Sequence, residues 1–222
     1  MRAKLVSLAV AVVYCSCIIA CGGGGGGGRS TALRVLHGGI QVSPVDVLID
    51  GIFLQSAHFA DVTAFAAVSP GPRAVDVNRA NSPDVNFNSL SFQFADNVQY
   101  SLLVSYNQQT RNPQVTLLEQ PIVEPAQGAG RVQLINALEG SSPLSLTIGG
   151  ASTPAASYAT ASGFIDTGVG PQTGSIRNSS GREVAQVSLD VGDRGELSVL
   201  VTGQTSLGQQ FVRVFDDLAQ GS

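Results

Sequence analysis

This chain contains no tryptophan, a single lysine (Lys4) and no cysteine after Cys21. The long part that follows Cys21 can therefore form neither a disulfide nor a thiolate metal site. Without Arg2 and Lys4, ten basic residues face 16 acidic ones, which leaves a net charge of −6. This charge disfavours nucleic acid as a partner, since nucleic-acid binding needs a basic face. The absence of tryptophan also counts mildly against a lectin site that stacks sugars on indole rings.

The N-terminus has the pattern of an export signal, predicted over residues 1–20. Arg2 and Lys4 precede an apolar run over residues 5–20, which is the order of a secretory signal. The run is too short to span a bilayer comfortably, because a spanning helix needs about 20 apolar residues. It ends in Ile-Ile-Ala-Cys at residues 18–21, which resembles the lipobox of bacterial lipoproteins. The resemblance implies cleavage ahead of Cys21 and lipid on its thiol; the alternative is an ordinary secretory peptide that contains cysteines.

A glycine tether follows the predicted lipidation site. Residues 22–28 are seven consecutive glycines, a composition that favours a flexible spacer reaching roughly 15 Å on average. They do not form a phosphate-binding loop, because the Lys-Ser/Thr ending of that motif is missing. We assign residues 21–32 to the lipidated cysteine and tether. In Gram-negative lipoproteins a residue other than aspartate after the cysteine, here Gly22, implies sorting to the outer membrane.

The remaining sequence consists of two copies of one repeat unit. When the two halves of the chain are aligned with an offset of about 99 residues, turn residues and apolar positions match together. After a small deletion in the second half, the offset becomes about 97. We call residues aligned in this way repeat counterparts. The aligned segments are 43–51 with 142–150, Phe59-Ala60 with Tyr158-Ala159, Phe65 with Phe164, Gly71-Pro72 with Gly170-Pro171, Asp96 with Asp193, and Leu103-Val104 with Leu200-Val201.

Each unit alternates apolar and polar residues with period two, as half-buried strands do. Short strands separated by regular turns predict an all-β fold of two tandem immunoglobulin-like sandwiches, over 33–120 and 130–217, with a linker at 121–129 and a tail at 218–222. The predicted core of the first unit is Val35, Val47, Ile49, Phe65, Val75, Phe92, Phe94, Leu102 and Val104. The predicted core of the second unit is Leu134, Leu146, Ile148, Phe164, Ile176, Leu189, Val199 and Val201.

Tyr100 stands at the start of a late strand, at the end of the segment Asp96-Asn97-Val98-Gln99-Tyr100, where one alternating strand turns into the next. This placement resembles the tyrosine corner of immunoglobulin-like sandwiches, in which the hydroxyl bonds a backbone group slightly upstream. The alternative is a plain core aromatic. The repeat counterpart is Leu197, which cannot form the same bond.

The first unit resembles the bacterial domain-of-unknown-function family 4397. The resemblance rests on Leu-Arg-Val-Leu-His at 33–37, on Ser-Pro-Val-Asp-Val-Leu-Ile-Asp-Gly at 43–51, and on Phe-Ala-Asp-Val-Thr-Ala-Phe at 59–65. The second unit is a diverged copy, with Ser145 in place of Asp46 and Gly149 in place of Asp50. The resemblance implies a β-sandwich on an envelope lipoprotein and implies no activity.

Residue types that carry chemistry are few. His37 and His58, the only histidines, lack metal-ligand spacing, and their counterparts are Asn136 and Ser157. Four carboxylates, Asp46, Asp50, Asp61 and Asp76, could gather around Ca²⁺, although solvated carboxylates on a polar strand face are the ordinary explanation. No Gly-x-Ser-x-Gly motif is present.

We therefore expect no catalytic, metal or cofactor residues, and lipidation at Cys21 is the only predicted site. The leading hypothesis is a non-catalytic binding or structural module, anchored to the bilayer through acylated Cys21 and facing an unidentified envelope protein or glycan. The alternative is an envelope hydrolase with paired carboxylates such as Asp46 and Asp61.

Overall fold

The computed structural model describes residues 31–217, which form 17 β-strands and one short 3-10 helix. The predicted signal at 1–20, Cys21 with the glycine run, and the tail at 218–222 lie outside the described residues. The first strand begins at Ala32, one residue before the predicted start of the first unit.

The first unit consists of two four-stranded sheets. Its strands are β1 Ala32–His37, β2 Val45–Ile49, β3 Ile52–Ala57, β4 Ala66–Ala67, β5 Gly71–Arg79, β6 Ser82–Phe94, β7 Val98–Asn107 and β8 Asn112–Pro121. The order is β4-β1-β7-β8 in one sheet and β3-β2-β5-β6 in the other. β1 and β7 run parallel, with Val35 opposite Leu102.

The second unit has the same strand order. Its strands are β9 Ala129–Glu139, β10 Leu144–Ile148, β11 Ala151–Ser152, β12 Thr160–Ala161, β13 Ile165–Gly168, β14 Gly170–Asn178, β15 Glu183–Val191, β16 Glu196–Gln204 and β17 Gln209–Asp216. The sheets are β12-β9-β16-β17, with β13 also paired to β9, and β11-β10-β14-β15. The 3-10 helix Thr205–Leu207 connects β16 to β17.

The predicted all-β class and sandwich architecture are confirmed. In the first unit β1, β4, β7 and β8 share one sheet, and β2, β3, β5 and β6 share the other. The second unit repeats this arrangement, with β9, β12, β16 and β17 in one sheet and β10, β11, β14 and β15 in the other. Constant-type immunoglobulin domains instead place the first, second, fourth and fifth strands in one sheet. The likeness to immunoglobulin therefore extends to the sandwich, and not to the assignment of strands to sheets. Within residues 31–217, every strand pair joins strands of the same unit.

Tight turns at equivalent positions connect the second and third strands of both units. Asp50 and Gly51 have φ of 51° and 79°, and Gly149 and Gly150 have φ of 57° and 86°. Two consecutive positive φ angles define the type I′ turn that suits the twist of a hairpin, and Asp-Gly is one of its preferred sequences. The two units therefore present the same hairpin with different side chains.

Each sandwich encloses an apolar core between its two sheets, and the predicted core residues lie in these cores with two exceptions. Phe65 and Phe164 were predicted as core residues, and this is wrong: both are only half-buried. Their rings instead lie against guanidinium groups, Phe65 at 4.4 Å from Arg34 and Phe164 at 4.2 Å from Arg131. The predicted tyrosine corner is confirmed, because the Tyr100 hydroxyl accepts the Ala95 N–H at 2.8 Å.

A third apolar cluster joins the two units. Strand β1 is buried over its whole length, so half-buried alternation does not describe it. One face packs inside its own sandwich, and Leu36 on the other face belongs to one apolar cluster with Ile135 of the second unit. The fully buried residues of this cluster include two pairs of repeat counterparts, Leu36 with Ile135 and Leu103 with Leu200. The two sandwiches therefore meet through equivalent surfaces, along a contact that we call the seam.

Candidate binding clefts at the seam

Arg34 is the centre of a buried polar network at the seam. Its side chain donates to Ser101 Oγ at 2.8 Å and to Gln120 Oε1 at 3.1 Å, both in its own unit. It also forms an ion pair with Asp217 of the second unit. The Arg34 guanidinium lies between two aromatic rings, because Phe215 approaches it at 4.4 Å from the second unit. Such a charge is costly to bury alone, and the network satisfies it with hydrogen bonds, a carboxylate and ring faces.

The second unit completes the network with repeat counterparts of the same residues. Gln133, the counterpart of Arg34, donates to Ser198 Oγ at 2.8 Å, and Ser198 in turn donates to Asp217 at 2.6 Å. Ser198 corresponds to Ser101, and Asp217 corresponds to Gln120. In each of the pairs Arg34/Gln133 and Gln120/Asp217, one counterpart is charged and the other is a neutral amide.

Burial shifts the protonation equilibria of the charged pair in opposite directions. Loss of water raises the pKa of the Asp217 carboxyl, and Arg34 and Ser198 partly offset this rise. The same burial lowers the pKa of Arg34, and the Asp217 charge opposes the change. The ion pair is therefore maintained by mutual neutralisation and by the surrounding donors.

Two tyrosines lie at one end of the seam and line a cleft of about 360 Å³. The Tyr158 hydroxyl donates to Tyr106 O at 2.7 Å and accepts the Tyr106 N–H at 3.1 Å. Burial raises the pKa of Tyr158, so its hydroxyl stays protonated and can donate. We call this cavity the tyrosine cleft. Its other lining residues are Asn107, Gln108, Gln109, Gln114, Glu139, Gly140 and Ser141.

A second cleft of about 570 Å³ lies where β8 of the first unit faces the second unit. Arg131 lines it and forms an ion pair with Glu196 at 2.8 Å. The same guanidinium donates to Pro121 O at 3.1 Å, across the boundary between the units. Arg131 is thus held in place by an acid, a carbonyl and the Phe164 ring.

The four carboxylates that were considered for Ca²⁺ each have local hydrogen-bond partners. Asp46 accepts from Ser56 Oγ and from Asn81 N–H, and Asp76 accepts from Ser89 Oγ. Asp50 accepts from the Ala74 N–H at 3.0 Å and from Arg73 at 3.1 Å, and these contacts lower its pKa. Asp61 accepts the His58 N–H at 2.8 Å. Among the described residues, no group of three or more His, Cys, Asp or Glu side chains is placed to hold a metal ion.

The two histidines lie in different surroundings. His37 is fully buried, and its Nε2 donates to Ser43 O at 3.1 Å. His58 is exposed and lies 3.3 Å from the Asp61 carboxylate. In the pair of the hydrolase alternative, Asp46 accepts from Ser56 and Asn81, whereas Asp61 accepts from the His58 N–H. Cys21, the predicted lipidation site, lies outside the described residues.

Sequence reasoning missed the residues of the seam. Arg34, Asp217, Tyr106 and Tyr158 were not singled out, because their importance depends on how the two units dock. One signal was present: Leu36, Leu103, Ile135 and Leu200 place apolar side chains where an alternating strand should be polar. Apolar residues at both faces of equivalent strands indicate that both faces are covered.

The part of the chain that the structure describes has no helix long and apolar enough to cross a membrane. No curated protein matches the chain. A family model does match, over residues 31–147, which includes the first unit and reaches β10 of the second. This match covers more than half of the chain and is described as domain of unknown function DUF4397; the protein belongs to this family.

Proposed function

We propose that this protein is a lipid-anchored, non-catalytic binding module of the bacterial cell envelope. Acylated Cys21 anchors the protein in the bilayer, and the glycine tether links this anchor to the folded part. Gly22 after the cysteine directs the lipoprotein to the outer membrane. The folded part presents the tyrosine cleft to a ligand. The observation that carries this proposal is the composition of that cleft, which combines two tyrosines with four side-chain amides.

A hydroxyl-rich ligand such as a glycan suits this composition. A side-chain amide offers both donors and an acceptor, so it can pair with a hydroxyl group in either sense. Tyrosine presents a ring face and a hydroxyl together, and can replace tryptophan as the apolar surface against a sugar ring. The volume falls in the range of small-molecule sites, roughly 300–1,000 Å³. The cleft thus favours a glycan over the other predicted partner, an envelope protein.

Carboxylate placement favours binding over hydrolysis. The tyrosine cleft contains Glu139 as its single carboxylate among the described residues. The larger seam cleft likewise contains only Glu119. A glycosidase of the usual kind needs two carboxyl groups flanking the bond to be broken. Asp46 and Asp61, the pair of the hydrolase alternative, line neither of these clefts.

A binding assay with envelope glycans tests the proposal. Soluble peptidoglycan fragments and envelope polysaccharide would be titrated against the protein, and each mixture analysed afterwards by mass spectrometry. We expect binding that Gln108→Ala with Gln109→Ala weakens at least several-fold, since both amides line the cleft and are exposed. Gln93→Ala, at an exposed glutamine of β6, is the matched control and should leave affinity unchanged.

Two results would contradict the proposal. Equal loss of affinity in the cleft variant and the Gln93→Ala control would remove the cleft as the binding site. Recovery of cleaved glycan, abolished by Asp46→Asn or Asp61→Asn, would instead support the hydrolase alternative.

A further inference from the structure

The hairpin tip between β2 and β3 carries two exposed apolar side chains. Ile52 is 73 % exposed and Phe53 is 59 % exposed, more than any other large hydrophobic side chain that the structure describes in the first unit. They follow the Asp50-Gly51 turn, whose geometry fixes their position at the end of the sandwich. Two adjacent exposed apolar side chains form a continuous apolar surface at the tip, and continuous apolar surfaces are typical of interaction sites.

This tip lies beside the residue at which the tether meets the folded unit. Thr31 O accepts the Val68 N–H at 3.0 Å, and Val68 lines the same surface cavity as Ile52 and Phe53. In addition, Gln55 of β3 donates to Leu33 O of β1 at 3.1 Å. The start of β1 and the start of β3 are therefore at the same end of the first sandwich.

The length of chain before Thr31 limits how far this end can be from the lipid. Nine residues separate Cys21 from Thr31, and seven of them are glycine. Fully extended, this segment spans at most about 35 Å; as a glycine-rich coil it spans about 17 Å on average. A lipid on Cys21 would keep the tip near the bilayer surface.

The second unit provides an internal comparison. Its equivalent hairpin has the same pair of positive φ angles, at Gly149 and Gly150. The counterparts of Ile52 and Phe53 are Ala151 and Ser152, which are small. The apolar pair is thus not required by the hairpin itself, and it occurs in the unit that the tether enters.

Charge at the tip suits a bilayer surface as well. Asp50, the first residue of the turn, is paired with Arg73 at 3.1 Å, so these two residues add no net charge. A neutral apolar tip escapes the repulsion that an anionic membrane exerts on a chain with a net charge of −6.

We propose that Ile52 and Phe53 insert into the interfacial region of the membrane that holds the lipid anchor. Acylation supplies the attachment and the tip supplies a second contact, which fixes the orientation of the first sandwich relative to the membrane. This inference rests on the proposed anchor at Cys21. The partner that contacts Ile52 and Phe53 is the lipid bilayer itself.

Tryptophan fluorescence provides the test, because the natural chain has no tryptophan to interfere. Full-length Phe53→Trp protein would be reconstituted in vesicles of phosphatidylethanolamine and phosphatidylglycerol, with Ser152→Trp at the counterpart position as the matched control. We expect Phe53→Trp emission to shift to shorter wavelength and to be quenched by brominated acyl chains. The control should show neither change. Adding Ile52→Asp to the Phe53→Trp protein should abolish the shift.

Flotation of the same samples separates failure of the tip from failure of the anchor. If the acylated protein does not float with vesicles, the proposed anchor at Cys21 is wrong. Membrane insertion of Ile52 and Phe53 is then tested separately, with a Cys21→Ala chain held on nickel-chelating lipid by an N-terminal histidine tag. Equal quenching of both tryptophan variants, in either form, would overturn the inference. So would a shift that appears without vesicles and grows with protein concentration, because it would assign the tip to a second copy of the chain.

Discussion

Arg34 of the first unit and Asp217 of the second form an ion pair with side chains only 2 % exposed, although 183 positions separate them in sequence. Removing one partner leaves the other charge buried without compensation. We therefore expect Asp217→Ala or Arg34→Leu to lower the free energy of unfolding by about 3–5 kcal/mol. Urea denaturation measures this loss.

The repeat counterparts supply a second variant for the same pair. Replacing both residues by the neutral amide found at the equivalent positions, as Arg34→Gln with Asp217→Gln, should cost less than the sum of the two single changes. The exposed pair Arg194–Glu124 is the control, with side chains 48 % and 67 % exposed; Glu124→Gln should cost no more than about 1 kcal/mol. Strictly additive costs in the buried pair would show that the two side chains are not coupled.

Gly38 allows the two units to approach closely. A Cβ added at Gly38 would lie 2.5 Å from the Cβ of Ala137, its repeat counterpart. We expect Gly38→Ala to destabilise the protein by about 1–3 kcal/mol through overpacking, and Ala137→Gly in the same chain to recover part of the loss. Gly192→Ala, at a glycine with open space around its Cβ position, is the control. If urea denaturation shows that Ala137→Gly restores no stability to Gly38→Ala, the destabilisation does not come from contact between these two residues.

His37 should make stability depend on pH. Burial lowers its pKa, and the contacts with Ser43 and Asp61 offset this only in part. The unfolded chain then binds a proton more readily than the folded one, so the stabilisation present above the ordinary pKa of about 6.5 is lost as pH falls below it. Protonation would also add an N–H at Nδ1, a buried atom without a hydrogen-bond partner.

Asn136, the repeat counterpart of His37, indicates the variant to use. Its side chain donates to Ala156 O at 3.0 Å and accepts the Leu138 N–H at 3.1 Å, without a titrating group. We expect His37→Asn to flatten the fall in unfolding free energy between about pH 7 and about pH 5. An unchanged slope in the variant would assign the dependence to other groups.

The Tyr100 hydroxyl should contribute about 1 kcal/mol to stability, the net value of a typical hydrogen bond. Phenylalanine at this position keeps the edge-to-face contact with Phe94, at 4.9 Å between ring centroids, and removes only the bond to Ala95 N. Thermal or urea unfolding of Tyr100→Phe measures the difference. A stability equal to that of the natural chain would mean that the Ala95 N–H finds another partner at no cost.

Turns, alternating strands and the tyrosine corner could be predicted from the sequence, because each depends on residues that are close together in the chain. The Asp50-Gly51 turn, the alternating strands around Val47 and Leu102, and the Tyr100 corner follow from residue types a few positions apart. These features are fixed by backbone sterics and by the two faces of one sandwich.

The seam could not be predicted in the same way. Arg34 contacts Asp217 only because the two sandwiches dock through equivalent surfaces, and no local pattern encodes that docking. Phe65 and Phe164 were mistaken for core residues for a different reason: each ring covers a guanidinium of its own unit, and such a ring has the same sequence signature as one that faces a core. Apolar counterparts on the second strand face, Leu36 and Ile135, were the available sign.

Cys21→Ala tests the central claim, that this is a lipid-anchored envelope module, most directly. The natural protein and the variant would be expressed in parallel, partitioned between detergent and aqueous phases, and analysed by intact mass. We expect the natural protein in the detergent phase, with a mass that corresponds to cleavage before Cys21 and an added diacylglycerol and acyl chain, and the variant in the aqueous phase. A natural protein without lipid mass, or a variant that stays in the detergent phase, would contradict the account.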